Sequence, residues 1–466
     1  MTIFRRALAG LFALFLACAP VAAQFADQAT WVGNGAGSAN AQTITVQNAT
    51  NLADLLGVKL VYVPAATNTG PATINISGST GSPFGAQSVR KLTNSGLQAL
   101  TGFELVSGQP VMVMWDGTFI DILSAGTPVV TIAPPQGYLT PCQVSSGSPV
   151  SGCTAGQIYQ TGDVVAATAL YYEPAVGNQI PIYNGSVFVE QPFSELTLTI
   201  PSSRLANTIY DVFVTTTSAG AYSSTGSPTL CFGPAWTTST AGSGARGTGA
   251  GTAQVGQTNG IWTNTVSISC VNGASTYTVP ANGGTYVAST WMDGTAGQCT
   301  SHLTYGRSRK RCYWNAWNQQ PIYLKAGDTT AGTFVDSSTT YQPINNNTAN
   351  SLSILIGLPG QAVNLEQYLS ALYNSLPVNS NAFFYPGIGY NSTSAASGYA
   401  APVDYVIQSC AGCSNNLHFS MTAKYVTVPA IGVQTITSLD QIGSGSGSMT
   451  VTGGEAGNLL TAAWGG

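Results

Sequence analysis

At 466 residues the chain exceeds what one ordinary hydrophobic core serves, and three or four modules are expected. Hydrophobic residues make up 44% of it and charged residues only 6%, against about 25% in an average globular domain. Charge-driven disorder is thereby excluded, and a formal net charge of −4 leaves no basic stripe for nucleic acid.

The first 23 residues read as a secretory signal. Arg5 and Arg6 make a positive start, Ala7 to Ala17 are apolar, and Val21-Ala22-Ala23 forms a small-residue cleavage site before Gln24. Cys18 offers the alternative of a lipid anchor. No later stretch reaches the length of a membrane span. Cleavage leaves 11 of the 13 basic residues against 17 acidic ones, and eight of the nine cysteines. An even number in an exported chain predicts disulfides, and although eight cysteines allow 105 pairings, short loops favour four. These are Cys142 with Cys153, Cys231 with Cys270, Cys299 with Cys312, and Cys410 with Cys413.

From residue 24 the pattern is all-β, with short β-branched or aromatic runs between Gly, Asn, Ser and Pro clusters. Gln42 to Val46, Lys59 to Val63, Ala72 to Ile76 and Val111 to Trp115 are expected strands, and Asp116-Gly117 predicts a tight hairpin to Phe119–Leu123. Residues 24–125 therefore form an N-terminal module. A connector of short strands, 126–205, carries Val164 to Tyr172, Gln179 to Tyr183, Val187 to Val189 and Leu196 to Ile200. A Cys/Trp-rich domain, 206–325, opens on Ile209 to Val214 and continues through Trp262 to Cys270, Ser275 to Val279 and Tyr286 to Met292. The last region, 326–466, has the strand count of a β-sandwich or jelly roll. Helical spacing occurs at Leu52 to Leu56, Ser95 to Leu100 and Leu365 to Leu376.

Catalytic chemistry finds little to work with. The two histidines, His302 and His418, have no metal-binding or triad context, and no nucleophile elbow occurs. Cys410-Ala411-Gly412-Cys413 lacks the second pair that zinc needs and reads as a local staple. Gly242-Ser243-Gly244-Ala245-Arg246-Gly247 matches a dinucleotide fingerprint in letters only, with no strand before it and no helix after it. Asp116, Asp211, Asp293 and Glu195 keep open a glycan-cleaving carboxylate pair, which sequence alone cannot bring together. The one dense basic run, Arg307-Ser308-Arg309-Lys310-Arg311, is flanked by Tyr305, Tyr313, Trp314 and Trp317. It reads either as a solvated, stapled hairpin arm or as a contact for acidic glycan or a neighbouring subunit.

Residues 31–123 contain, in order, Trp31-Val32-Gly33, Gly37 to Thr43, Leu52 to Gly57, Ala66 to Gly70, Leu97 to Leu100, Gly108 to Val111 and Trp115 to Thr118. Downstream come Phe193 to Leu196, Ile209 to Phe213, Gly233 to Trp236, Arg246 to Gly249 and Trp314 to Asn318. This succession resembles tail-fibre and tail-tip proteins of bacteriophages and prophages. The resemblance implies a modular β architecture, a homotrimer and an attachment role without a catalytic residue. Because tail proteins assemble in the cytoplasm, the export signal departs from that pattern. The expected location is secreted or cell-surface, or virion-associated if a phage encodes the chain.

The function expected is a non-catalytic fibre or adhesin that binds cell-surface glycan through aromatic faces and hydroxyl or amide groups. A purely structural virion or envelope component is the alternative, and an exported glycan-cleaving enzyme a further one. Candidate contact residues are Trp236, Trp291, Tyr305, Arg307, Arg309, Lys310, Arg311, Tyr313, Trp314 and Trp317. No cofactor or metal is expected. The charge-poor runs Leu352 to Leu358 and Leu459 to Trp464 are the expected trimer interface.

Overall fold

The computed structural model describes residues 29–93, 96–124, 132–185, 187–373, 381–399, 405–406, 417–443 and 448–466. The export signal and the Cys410–Cys413 pair lie outside them. The chain divides into two compact units, 1–131 and 132–466. The boundary expected at 125 falls close to this division. Those at 205 and 325 fall inside the second unit, where strands from all three segments share cores.

Both units are built of strands, as the sequence predicts. In the first, the ends of one curled sheet are Thr30–Asn34 and Ala36–Ser38, neighbours in the chain with only Gly35 between them. The sheet thus returns on itself. Thr30–Asn34 runs parallel to Lys59–Val63, and Ala36–Ser38 pairs antiparallel with Ala41–Thr45. Strict alternation turns Ile44, Leu60, Tyr62, Ile74, Ile76, Val113 and Trp115 into a common core. The expected hairpin forms between Val111–Trp115 and Ile120–Ser124, where Asp116 Oδ1 accepts the amides of Thr118 and Phe119 and Gly117 takes a positive φ. Leu52–Leu55 is a single 3-10 turn, closed by reciprocal hydrogen bonds between Asn51 and Asp54. The helix expected over Ser95 to Leu100 is corrected: Gly96–Ala99 is a strand paired with Pro83–Thr93.

The second unit is layered. Its middle is a nine-stranded sheet in which Ile209–Ser218 lies between Thr285–Trp291 and Ser227–Ala235. Ile209 and Phe213 point to one core and Tyr210, Val212 and Val214 to another, which explains why this strand is a continuous apolar and Thr run. The second core is shared with Tyr138, Leu139, Leu170 and Tyr172 of the connector. On the other side pack Leu352, Ile354, Leu355 and Ile356. Cys231–Cys270 joins neighbouring strands of the middle sheet, and Cys142–Cys153 and Cys299–Cys312 close the other two loops expected of them.

Two six-stranded sheets make the C-terminal sandwich. One contains Ser351–Ile356, Gly432–Ile442 and Phe384–Tyr390, and the other Pro321–Ala326, Asn458–Gly465, Val363–Tyr373 and Leu417–Thr427. Leu369, Met449 and Val451 of the second meet Phe384 and Ile442 of the first. The helix expected over Leu365 to Leu376 is a strand as far as Tyr373. Its inward set is Val363, Leu365, Gln367, Leu369 and Ala371, and the buried polar Gln367 breaks the apolar alternation that would have marked it. Gln367 Nε2 donates to the Leu439 carbonyl at 2.8 Å, which offsets its burial. Leu460, Ala462 and Trp464, like the run at 352–356, lie inside the subunit core. The expectation that these runs form a trimer interface is corrected accordingly.

Candidate functional site

The basic run is an internal brace. Cys299–Ser301 pairs with Val164–Ala167, whereas Arg309–Lys310 adds as a parallel edge strand to Ser351–Ile356. The Cys299–Cys312 bridge ties the two arms together. Each cation then meets a different segment. Arg307 Nη2 donates to Asp328 Oδ1 at 2.7 Å, Arg309 Nη1 to Asp163 Oδ2 at 2.7 Å, and Lys310 Nζ to Asp293 Oδ1 at 2.6 Å. Arg311 is buried, stacks on Tyr313 and donates to the hydroxyls of Tyr138 and Tyr313. Burial opposes the charge of Asp328, yet donors from Thr330, Asn350 and Asn345 hold it well below the usual carboxylate range. His302, pushed down by burial and by Arg309, accepts the Lys310 amide on Nδ1. A solvated arm is thus also corrected: these charges brace three segments.

The aromatic candidates follow suit. Trp236 is 4% exposed and carries the Arg246 guanidinium 4.4 Å above its ring. Tyr313 and Trp314 are buried, and Trp314 Nε1 donates to Gln361 Oε1 at 2.7 Å. Their burial corrects the expectation that Trp236, Arg311, Tyr313 and Trp314 contact a ligand. Trp291 lies half-buried under Lys310, Trp317 Nε1 donates to the Tyr286 carbonyl, and the Tyr305 hydroxyl is within 2.9 Å of the Asp328 and 2.8 Å of the Asn458 carbonyls. The glycine tract around Arg246 also has a packing reason: a Cβ on Gly244 would lie 2.6 Å from Gly432 Cα. This lets Arg246 reach Asp211, Tyr286 and Ser289 in the core.

The four candidate carboxylates occupy separate places. Asp116 closes a hairpin, Asp211 holds Arg246, and Asp293 holds Lys310 and Thr300. Glu195 is hydrogen-bonded to Glu173, closer than the roughly 5 Å or more that separates glycosidase carboxyl pairs. Among the described residues no group of His, Cys, Asp and Glu could hold a metal, and no helix is long and apolar enough to cross a membrane.

A surface that the sequence did not single out lies on the outer face of the second C-terminal sheet. Register places Tyr323, Ala463, Asn364 and Val426 in one row across four strands. Lys325, Thr461, Glu366 and Lys424 form the next, then Leu459, Tyr368 and Thr422. Tyr323 is 62% exposed, and strand geometry puts it about 16 Å from Tyr368. The charges here cancel, since Lys325 Nζ is 2.9 Å from Glu455 Oε1 and Lys424 Nζ 3.9 Å from Glu366 Oε2. Ser370, Ser420 and His418 continue the face, with His418 exposed opposite Leu372. The alternation in Pro321-Ile322-Tyr323-Leu324-Lys325-Ala326 was the signal available for it.

No family model matches this chain, and no curated protein matches it. Among solved structures, the functional form of the mosquito-larvicidal Cry4Aa toxin from Bacillus thuringiensis is similar over 65% of this chain, at 8% identity and a TM-score of 0.16. The match spans about half of that toxin, 51% of its chain.

Proposed function

We propose that the chain is an exported, non-catalytic attachment protein of the tail-fibre or adhesin type, a homotrimer that binds neutral cell-surface glycan. The observation that supports this best is the outer sheet face bearing Tyr323 and Tyr368. Two phenol rings stand among Asn364, Thr461, Thr422 and Ser370, on a surface whose few charges are paired. Rings of this kind stack on sugar faces, and the amide and hydroxyl groups match sugar hydroxyls as donors and acceptors. The braced basic run offers no comparable surface, so acidic glycan is a poorer fit than neutral glycan.

Screening the mature protein on a glycan array, then titrating the retained glycan, tests the proposal. Tyr323→Ala and Tyr368→Ala should each weaken binding about tenfold, near 1.4 kcal/mol. Absence of any retained glycan would favour a purely structural component of a virion or envelope. Shortening of a polymeric glycan over hours would favour an enzyme instead.

A further inference from the structure

Glu173 and Glu195 share a hydrogen bond between their carboxyl groups at the foot of a surface loop. A contact between two carboxyl groups requires one proton between them. Glu173 is buried at the end of Ala169–Pro174, and its Oε1 accepts the Val144 amide at 3.0 Å. Glu195 accepts the Ser145 amide on Oε2 at 3.0 Å and Gln143 Nε2 on Oε1 at 2.8 Å. Cys142, just before these residues, is buried and bonded to Cys153. The chain is therefore fixed at Cys142, and the carboxyl pair holds the three residues that follow.

We propose that the Glu173–Glu195 pair is a proton-operated clasp, which holds residues 143–145 down while it shares a proton and releases them when that proton leaves. Deprotonation would set two carboxylates within hydrogen-bonding distance in a partly buried site. The groups whose charge acts on the pair are the two carboxyls themselves and the Tyr171 hydroxyl, with no Lys or Arg among the leading influences. Nothing there neutralises a second negative charge, so one carboxylate must swing out towards water and abandon its loop donors. Burial, the main cause, raises Glu173 to about 7, which puts the release in the neutral range. Glu195, despite the cost of burial, is held low by Ser145 and Gln143 and keeps its charge throughout.

The chain has only six glutamates, so carboxyl-labelled glutamate in the full mature protein gives six resolvable carbon signals. One of them should titrate with a midpoint near 7. Between about pH 5 and about pH 9, exchange at the Val144 and Ser145 amides should accelerate roughly tenfold more than in Glu173→Gln. Glutamine at 173 can still accept from Val144 and donate to Glu195, so the variant should stay closed. If no glutamate titrates between about pH 6 and about pH 8, the clasp is refuted even if the variant does not fold. Equal acceleration in wild type and Glu173→Gln would refute it equally.

Discussion

Arg309 Nη1 lies 2.7 Å from Asp163 Oδ2, an ion pair that joins positions 146 residues apart. Asp163 also accepts the amides of Leu303 and Thr304 and the Thr304 hydroxyl, so one carboxylate fastens both arms of the Cys299–Cys312 loop to the connector. Asp163→Asn should preserve the shape and lose the charge, lowering unfolding free energy by about 1–3 kcal/mol. Urea unfolding measures this. A double-mutant cycle with Arg309→Ala should show about 1 kcal/mol of coupling, and additive effects would mean that the pair is not a brace.

Asp336 and Asp440 make a second carboxyl pair, this one between the two sheets of the C-terminal sandwich. Burial, then the hydrogen bond and charge of Asp336, push Asp440 well above the usual carboxylate range. A carboxyl raised in the folded state stabilises the fold fully below its unfolded value, about 4, and that contribution is lost as pH rises through the folded value. Asp440→Asn removes this loss. The difference in urea stability between about pH 4 and about pH 9 should then be smaller in the variant, in favour of greater relative stability in alkali. Parallel pH profiles for the two proteins would contradict the assignment.

Strand positions and the three described disulfides were legible because both rest on local spacing. Apolar alternation marks Lys59–Val63 and Val111–Trp115, and eleven to 39 residues separate the paired cysteines. The candidate site was not legible for the opposite reason. Arg307, Arg309 and Lys310 look like one patch in sequence, but their partners Asp328, Asp163 and Asp293 come from three segments. The tyrosine face needs register between Tyr323, Ala463 and Asn364, which no local pattern supplies. Gln367 misled the helix reading because its partner, the Leu439 carbonyl, lies 72 residues away.

Removing Cys231–Cys270 tests the middle sheet. Both cysteines are buried and join strands that otherwise pair through Phe232 and Val271. Replacing both with Ala should cost about 2–5 kcal/mol, read from the urea midpoint. Thiol titration of the denatured, unreduced mature protein should find none of its eight cysteines free. Two free thiols per chain would mean that the expected Cys410–Cys413 bridge does not form.

The expected trimer has to be built from surface other than 352–358 and 459–464, since those runs supply the subunit's own core. The first unit offers apolar side chains that its core leaves outside: Trp31 is 59% exposed and Leu92 76%. A stable interface needs about 800 Å² per partner with a charge-depleted centre, and a chain with 6% charged residues has little to keep such side chains apart. Light scattering of the mature protein at micromolar concentration should give three times the subunit mass. Trp31→Ser combined with Leu92→Ser should shift the population towards monomer, while glycan binding measured per subunit at the Tyr323 face stays unchanged. A monomeric wild type would exclude the trimer, whereas a trimer indifferent to both substitutions would move the interface away from the first unit's exposed apolar residues.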